Sequence, residues 1–257
     1  MTHVTSNDGT PIAYERLGSG PPLVLVGGGL DDGSENAPLV PELATGFTVF
    51  NYARRGRGES GDTLPYAVER EIEDLVAVIE TAGGSAHVYG VSSGGALAFE
   101  AAAAGVAIDR LAVYEVPYDT PDDWPAHWQA YVDELSSLLA ADRRADALAL
   151  FMRLAGSSEE GIAGARASAF WPGLLELAPT LAYDAACLGD GRPPTARLAT
   201  ITQPTLVITG GRGDFFDRAA DAIAASLPNA ERRTFAQQGH VADPEPAAAA
   251  LAEFFRG

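Results

Sequence analysis

The segment Gly90-Val91-Ser92-Ser93-Gly94 sets a serine between glycines two positions away on either side. An apolar stretch, Ala86 to Tyr89, precedes it and a run of small residues to about Ala104 follows, so it reads as a sharp strand-to-helix turn. A serine in such a turn has strained backbone geometry, and the flanking glycines remove the clashes that side chains would cause. Its hydroxyl is lifted above the sheet at the positive end of the next helix. Ser92 is therefore the candidate nucleophile, and it needs a base to take its proton. The chain has four histidines. His3 lies near the terminus, His87 falls within a strand, and His127 sits in a long segment without strand patterning. His240 follows Gln237-Gln238-Gly239 in a loop between the last strand and the last helix, at the same end of the sheet as Ser92. It is the candidate general base.

Elements that could position these groups recur along the chain. Asn7 to Thr10 is a turn signal, and Pro11 to Leu17 alternates apolar and polar residues. Pro22 to Val26 is a continuous apolar run, the pattern of a strand buried on both faces. A Gly-rich loop, a short helix over 37–44 and a strand over Phe47–Tyr52 come next. From Tyr66 to Ala82 the apolar residues keep helical spacing until Gly83-Gly84 ends them. Arg110 to Glu115 is a further strand. Between about 118 and 199 only helix-like segments appear, carrying Trp124, Trp128, Phe151, Met152, Trp171 and Tyr183. Pairing of strand and helix resumes with a strand over Pro204–Thr209, a helix from about Asp217 to Leu227, a strand near Glu231–Phe235 and a final helix ending near Phe255. This order predicts an α/β fold, one domain over residues 1–257, with a mostly parallel sheet between helices. The segment 118–199 is expected as a helical cap over the carboxyl edge of the sheet, where such folds bind ligands.

The order Ser92, acid, His240 on this layout resembles the α/β-hydrolase family over essentially the whole chain, with an eight-stranded, mostly parallel sheet implied. The Gly-rich turn after the third strand and the loop Arg54-Arg55-Gly56-Arg57-Gly58-Glu59-Ser60, similar to the family's R-G-x-G-x-S, add to the resemblance. The family's usual His-Gly pair in the oxyanion loop is replaced here by Gly27-Gly28-Gly29. The resemblance implies an oxyanion hole made by the amides of Ser93 and Gly29, with Leu30 as neighbouring donor and substrate contact; backbone donors need no particular side chain.

Two carboxylates compete for the third place. Most of the family carries its acid a few residues beyond the seventh strand, which points to Asp214, one residue later than the usual spacing. Glu115 ends an otherwise apolar strand, where a charge is costly to bury without a partner. A histidine that becomes positive during reaction would be that partner. Zearalenone lactonases resemble this chain locally, with a Ser-Ser-Gly turn and an H-E-x-P segment similar to Tyr114-Glu115-Val116-Pro117. Glu115 is the preferred acid and Asp214 the alternative. In the cap, Trp128 and Trp171 are the chosen candidates for substrate contact, against a purely packing role for its aromatics.

Composition narrows the partners. A net charge of −18 disfavours nucleic acid and anionic membrane surfaces. One cysteine, Cys187, excludes an intrachain disulfide, and its Ala/Leu-rich surroundings suit an inert thiol. Residues 1–8 lack the basic and apolar regions of a signal peptide, and nowhere do about 18 apolar residues run unbroken. A cytoplasmic protein is expected. No H-E-x-x-H, no Cys/His cluster and no G-x-G-x-x-G at a helix start is present, so neither metal nor dinucleotide is called for. The expected activity is cofactor-independent hydrolysis of a small carboxylic ester or lactone through an acyl-enzyme. The alternatives are haloperoxidase-like or cyclase chemistry on the same fold, or a ligand-binding pseudoenzyme; oligomeric state is left open.

Overall fold

Apolar runs in the sequence become the middle of the sheet. The computed structural model describes residues 1–257. Its strands are β1 (Thr2–Thr5), β2 (Pro11–Gly18), β3 (Pro22–Val26), β4 (Thr48–Tyr52), β5 (Ala86–Val91), β6 (Ile108–Tyr114), β7 (Thr205–Thr209) and β8 (Ala230–Thr234). They form one eight-stranded sheet in the order β1-β2-β4-β3-β5-β6-β7-β8. β2 runs antiparallel to β1 and β4, and every other pairing is parallel.

Because side chains alternate across a strand, a continuous apolar run feeds two cores at once. Val24 and Val26 of β3, Val88 of β5 and Val113 of β6 enter one cluster. Their neighbours Leu23, Leu25, Tyr89 and Ala112 enter the other. The first face is covered by α2 (Val68–Ala82), α3 (Ser93–Ala103) and α10 (Asp214–Ser226). The second is covered by α1 (Leu39–Leu43) and α11 (Pro244–Arg256), which pack on each other. The helix expected from about Asp217 starts at Asp214. Gly213 is its N-cap and two aspartates stand in its first turn, a favourable arrangement at the positive helix end.

Between β6 and β7 the chain contains no strand. It forms α4 (Trp124–Ala140), α5 (Arg144–Leu154), α6 (Glu159–Arg166), α7 (Trp171–Leu177), a 3-10 turn at Ala178–Thr180, α8 (Leu181–Leu188) and α9 (Thr195–Leu198). Trp128, Leu135, Leu148 and Leu181 join the same apolar cluster as α3, so the cap shares a core with the sheet's helical layer. Its α8 lies against α3. No helix of the chain is long and apolar enough to cross a membrane.

Candidate active site

Four loops at the carboxyl ends of parallel strands converge, and each carries strained backbone. Five non-glycine residues have positive φ, and four belong to this region: Leu30 (59°), Ser92 (54°), Glu115 (47°) and Gln237 (63°). Such conformations persist only where surrounding structure holds them, and they concentrate at functional sites.

Ser92 occupies the N-cap of α3 with φ 54° and ψ −128°, and its amide donates to the Tyr114 carbonyl at 2.9 Å. The flanking glycines are required by close approach. A Cβ on Gly90 would stand 2.6 Å from the Gly94 oxygen, and one on Gly94 would stand 2.4 Å from the Gly27 oxygen. The same holds at Gly28, where a Cβ would be 2.9 Å from the Ser92 Cβ. The triple-glycine loop therefore runs directly over the serine. The Gly29 and Leu30 amides take no part in the hydrogen bonds that tie the chain's turns and loops. Ser93 is the first residue of α3, so its amide has no acceptor in a preceding helical turn.

Glu115 follows β6 and is buried, 4% exposed. Its Oε1 accepts from the Gly210 amide at 2.8 Å, and its Oε2 lies 2.8 Å from His240 Nδ1. A carboxylate oxygen accepts, so the ring proton belongs on Nδ1, which leaves Nε2 to receive a proton. The His240 loop is held from several directions. The Tyr114 hydroxyl donates to the Gly239 carbonyl at 2.5 Å, and the Gln238 amide donates to the Gly210 carbonyl at 3.0 Å. The Gln238 side chain exchanges hydrogen bonds with Asp243, and Phe216 stacks on the imidazole with centroids 5.0 Å apart. Asp214 stands exposed at the start of α10, and the carboxylate paired with His240 is Glu115.

A family model for the alpha/beta hydrolase family matches residues 23–254. The chain belongs to that family. No curated protein matches the sequence. Among solved structures, this hydrolase is similar to an alpha/beta hydrolase from Sphaerobacter thermophilus DSM 20745, at 49% identity over 99% of this chain and 100% of the other, with a TM-score of 0.90. It shares its fold with a thermophilic esterase from Thermogutta terrifontis (21% identity, 99% and 97% covered, TM-score 0.72). It shares it also with the enol-lactonase from Burkholderia xenovorans LB400 (22% identity, 100% of both chains covered, TM-score 0.73).

The other candidates fall in different places. Leu30 is half-buried in the glycine loop. Trp128 lies inside the cap, 5% exposed, with its indole N–H on the Gly189 carbonyl at 2.8 Å. Trp171 is half-buried beneath the Arg166 guanidinium. The cap aromatic brought up to the glycine loop is Phe151, whose Cζ lies 3.8 Å from where a Gly29 Cβ would be. His127 is exposed on α4, and His87 is half-buried and stacks on Phe255. Cys187 is fully buried, and that burial, with Glu71 beside it, pushes its thiol up to about 12, which makes it inert at neutral pH.

The arginine loop holds what sequence reasoning missed. Arg54, Arg55 and Arg57 are all buried, with at most 1% exposure. Arg54 makes a bidentate pair with Glu71, both bonds at 2.7 Å, and Arg55 makes one with Asp74, also at 2.7 Å. Arg54 Nη1 and Arg57 Nη2 both reach Asp184 of α8, at 2.8 and 2.7 Å. Burial opposes the charge of Asp184, but Arg57 and Arg54 outweigh it and hold the carboxyl below its ordinary range. Glu71 is held low in the same way, with Arg54 overcoming burial. The sequence signal was available: three arginines within four residues of an acidic chain, in a loop entering the core, demand buried carboxylates.

Proposed function

We propose that this chain is a serine hydrolase acting on a small carboxylic ester or lactone. The observation that carries the reading is the buried Glu115 carboxylate on His240 Nδ1, at the sheet edge where Ser92 stands in its strained turn. Ser92 Oγ attacks the substrate carbonyl carbon while its proton passes to His240 Nε2. The resulting imidazolium is stabilised by Glu115, which also fixes the ring's tautomer. Negative charge on the former carbonyl oxygen is met by the Ser93 and Gly29 amides, with Leu30 next in line. His240 then returns its proton to the leaving alkoxide, the carbon–oxygen bond breaks, and an acyl-serine remains. Water, deprotonated by the same His240, attacks that acyl group and releases the acid, restoring Ser92.

The ester or lactone class is taken from the esterase and enol-lactonase that share the fold, and an acyl-transfer site suits either. Leu30 belongs to the glycine loop and Phe151 Cζ approaches Gly29, and we assign both to the acyl pocket together with Trp171. Trp128 belongs to the pocket only through the cap core that it braces. The test is a screen of nitrophenyl esters of increasing chain length together with aromatic macrolactones, using Ser92→Ala as control. Hydrolysis by the wild type, lost by about 10⁴-fold or more in the variant, supports the reading. Tight binding of these compounds without product in either protein would make the chain a ligand-binding relative instead.

A further inference from the structure

Asp184 touches both halves of the oxyanion hole from behind. Its Oδ1 accepts three hydrogen bonds, from the Ser93 hydroxyl (2.7 Å), Arg54 Nη1 (2.8 Å) and Arg57 Nη2 (2.7 Å). The other arm of Arg57 donates to the Gly28 carbonyl, and Arg54 Nη1 also reaches the Gly27 carbonyl at 3.3 Å and the Ser93 hydroxyl at 3.2 Å. In a trans peptide the C=O and N–H point in opposite directions. Drawing the Gly28 oxygen toward Arg57 therefore turns the Gly29 N–H away from Arg57, and holding the Ser93 side chain fixes the first turn of α3 that bears the second donor. The Asp184 Oδ2 is buried without a partner and stands 3.3 Å from where a Gly29 Cβ would be, so the cap carboxylate lies directly against the donor loop.

We infer that Asp184 is a positioning residue for hydrolysis. Through Arg57 and Arg54 it orients the Gly29 and Ser93 amides, so the seating of the cap helix α8 sets the geometry of the oxyanion hole. This rests on the reading of Ser92 and its donors given above. The neighbouring Arg55 supplies an internal contrast. Its guanidinium is equally buried but turns to Asp74 and Asp8, and it makes no bond to the glycine loop or the cap.

The experiment measures kcat and KM for p-nitrophenyl acetate and inhibition by phenylboronic acid, whose tetrahedral serine adduct places an oxygen in the hole. The proteins are the wild type, Asp184→Asn, Arg57→Lys and Arg55→Lys, with near-UV circular dichroism and Tm recorded for each. Removing an oxyanion donor costs about 10²–10³ in turnover, so displacing one should cost about 10- to 100-fold. The expected result is that loss in kcat for Asp184→Asn, a parallel loss of boronate affinity, and KM within about threefold of wild type, since the ground state relies little on the hole. Arg57→Lys, able to satisfy Gly28 or Asp184 but not both, should fall between Asp184→Asn and wild type. Arg55→Lys should lower Tm and leave kcat and boronate affinity unchanged. Folded Asp184→Asn and Arg57→Lys proteins with wild-type kcat and boronate affinity would overturn the inference, as would losses that track Tm equally in all three variants. A wild type that neither turns over the ester nor binds the boronate defeats the hydrolase reading itself, and this inference with it.

Discussion

On the glycine-loop side of Ser92 the backbone is gripped from behind by buried ions, whereas on the other side His240 rides on a loop and is 42% exposed. Arg54, Arg57 and Asp184 sit in a water-excluded layer between cap and sheet, and their bonds end on backbone carbonyls and the Ser93 hydroxyl. His240 and its loop are held by one carboxylate, one tyrosine hydroxyl, a loop amide and the face of Phe216. The difference matches the roles proposed for the two sides. Oxyanion donors act best when they do not move as charge develops. An imidazole that accepts, carries and returns a proton needs a fixed tautomer and some freedom of the ring. Defects on the two sides should therefore separate, the one appearing in transition-state affinity and the other in proton transfer.

The largest effect is expected at the carboxylate behind the base. Glu115→Gln should lower kcat by about 10³- to 10⁴-fold, because an amide in that place can stabilise the wrong tautomer and carries no charge to meet the imidazolium. Asp214→Asn should stay within about twofold of wild type, since Asp214 is solvated at the start of α10. Steady-state kinetics on both variants decides between the two acids, and the reverse pattern would transfer the role to Asp214.

Next comes stability. Arg55→Met leaves Asp74 buried without its cation, which should cost about 3–5 kcal/mol of folding free energy. Activity per folded molecule should not change, and urea unfolding with active-site titration measures both. A smaller effect is expected from Tyr114→Phe. It removes the 2.5 Å bond to the Gly239 carbonyl and loosens the base loop. About 1 kcal/mol lost in the transition state corresponds to about fivefold in kcat. Boronate affinity should be affected less than turnover, unlike the parallel losses expected for Asp184→Asn.

The smallest effect concerns pH and stability. Asp31 is held above its ordinary range by burial, and Glu35 by burial and by Asp31, with His240 opposing. Their folded forms bind a proton more tightly than the unfolded chain, so protonating them as pH falls adds stability. The net charge of −18 shrinks over the same range, which relieves self-repulsion. Asp184 and Glu71 act in the other direction, since their folded pKa values are depressed. Their contribution is complete above the unfolded carboxylate range, about pH 4, and is lost as pH falls through the lower folded values. Tm should rise from pH 8 to about pH 5 and drop steeply below about pH 4, as differential scanning fluorimetry across that range would show.

The sheet was legible because its physics is local. A strand buried on both faces is apolar along most of its length; β3 is so throughout, and β4, β5 and β7 are so apart from Thr48, Asn51, His87, Thr205 and Thr209. β8, an edge strand reading Ala-Glu-Arg-Arg-Thr, was placed by its position between helices more than by its pattern. The Ser92 turn carries its glycines in sequence, and Glu115 stood out as a charge at the end of an apolar strand. In the arginine–Asp184 layer the need for buried carboxylates was legible but their identity was not, because Arg57 and Asp184 are 127 residues apart and nothing local to either names the other. In the cap, helical spacing showed that helices form but not which face meets the sheet. Trp128 was expected to face the substrate, and the structure instead spends its indole on Gly189 within the cap, leaving Phe151 to approach Gly29.

The most direct measurement is the intact mass of the protein after exposure to a fluorophosphonate, which phosphonylates only an activated serine hydroxyl. One adduct is expected on the wild type, mapped to Ser92 by peptide sequencing, and none on Ser92→Ala. An unmodified wild type, or a Ser92→Ala protein labelled as readily as wild type, would contradict it.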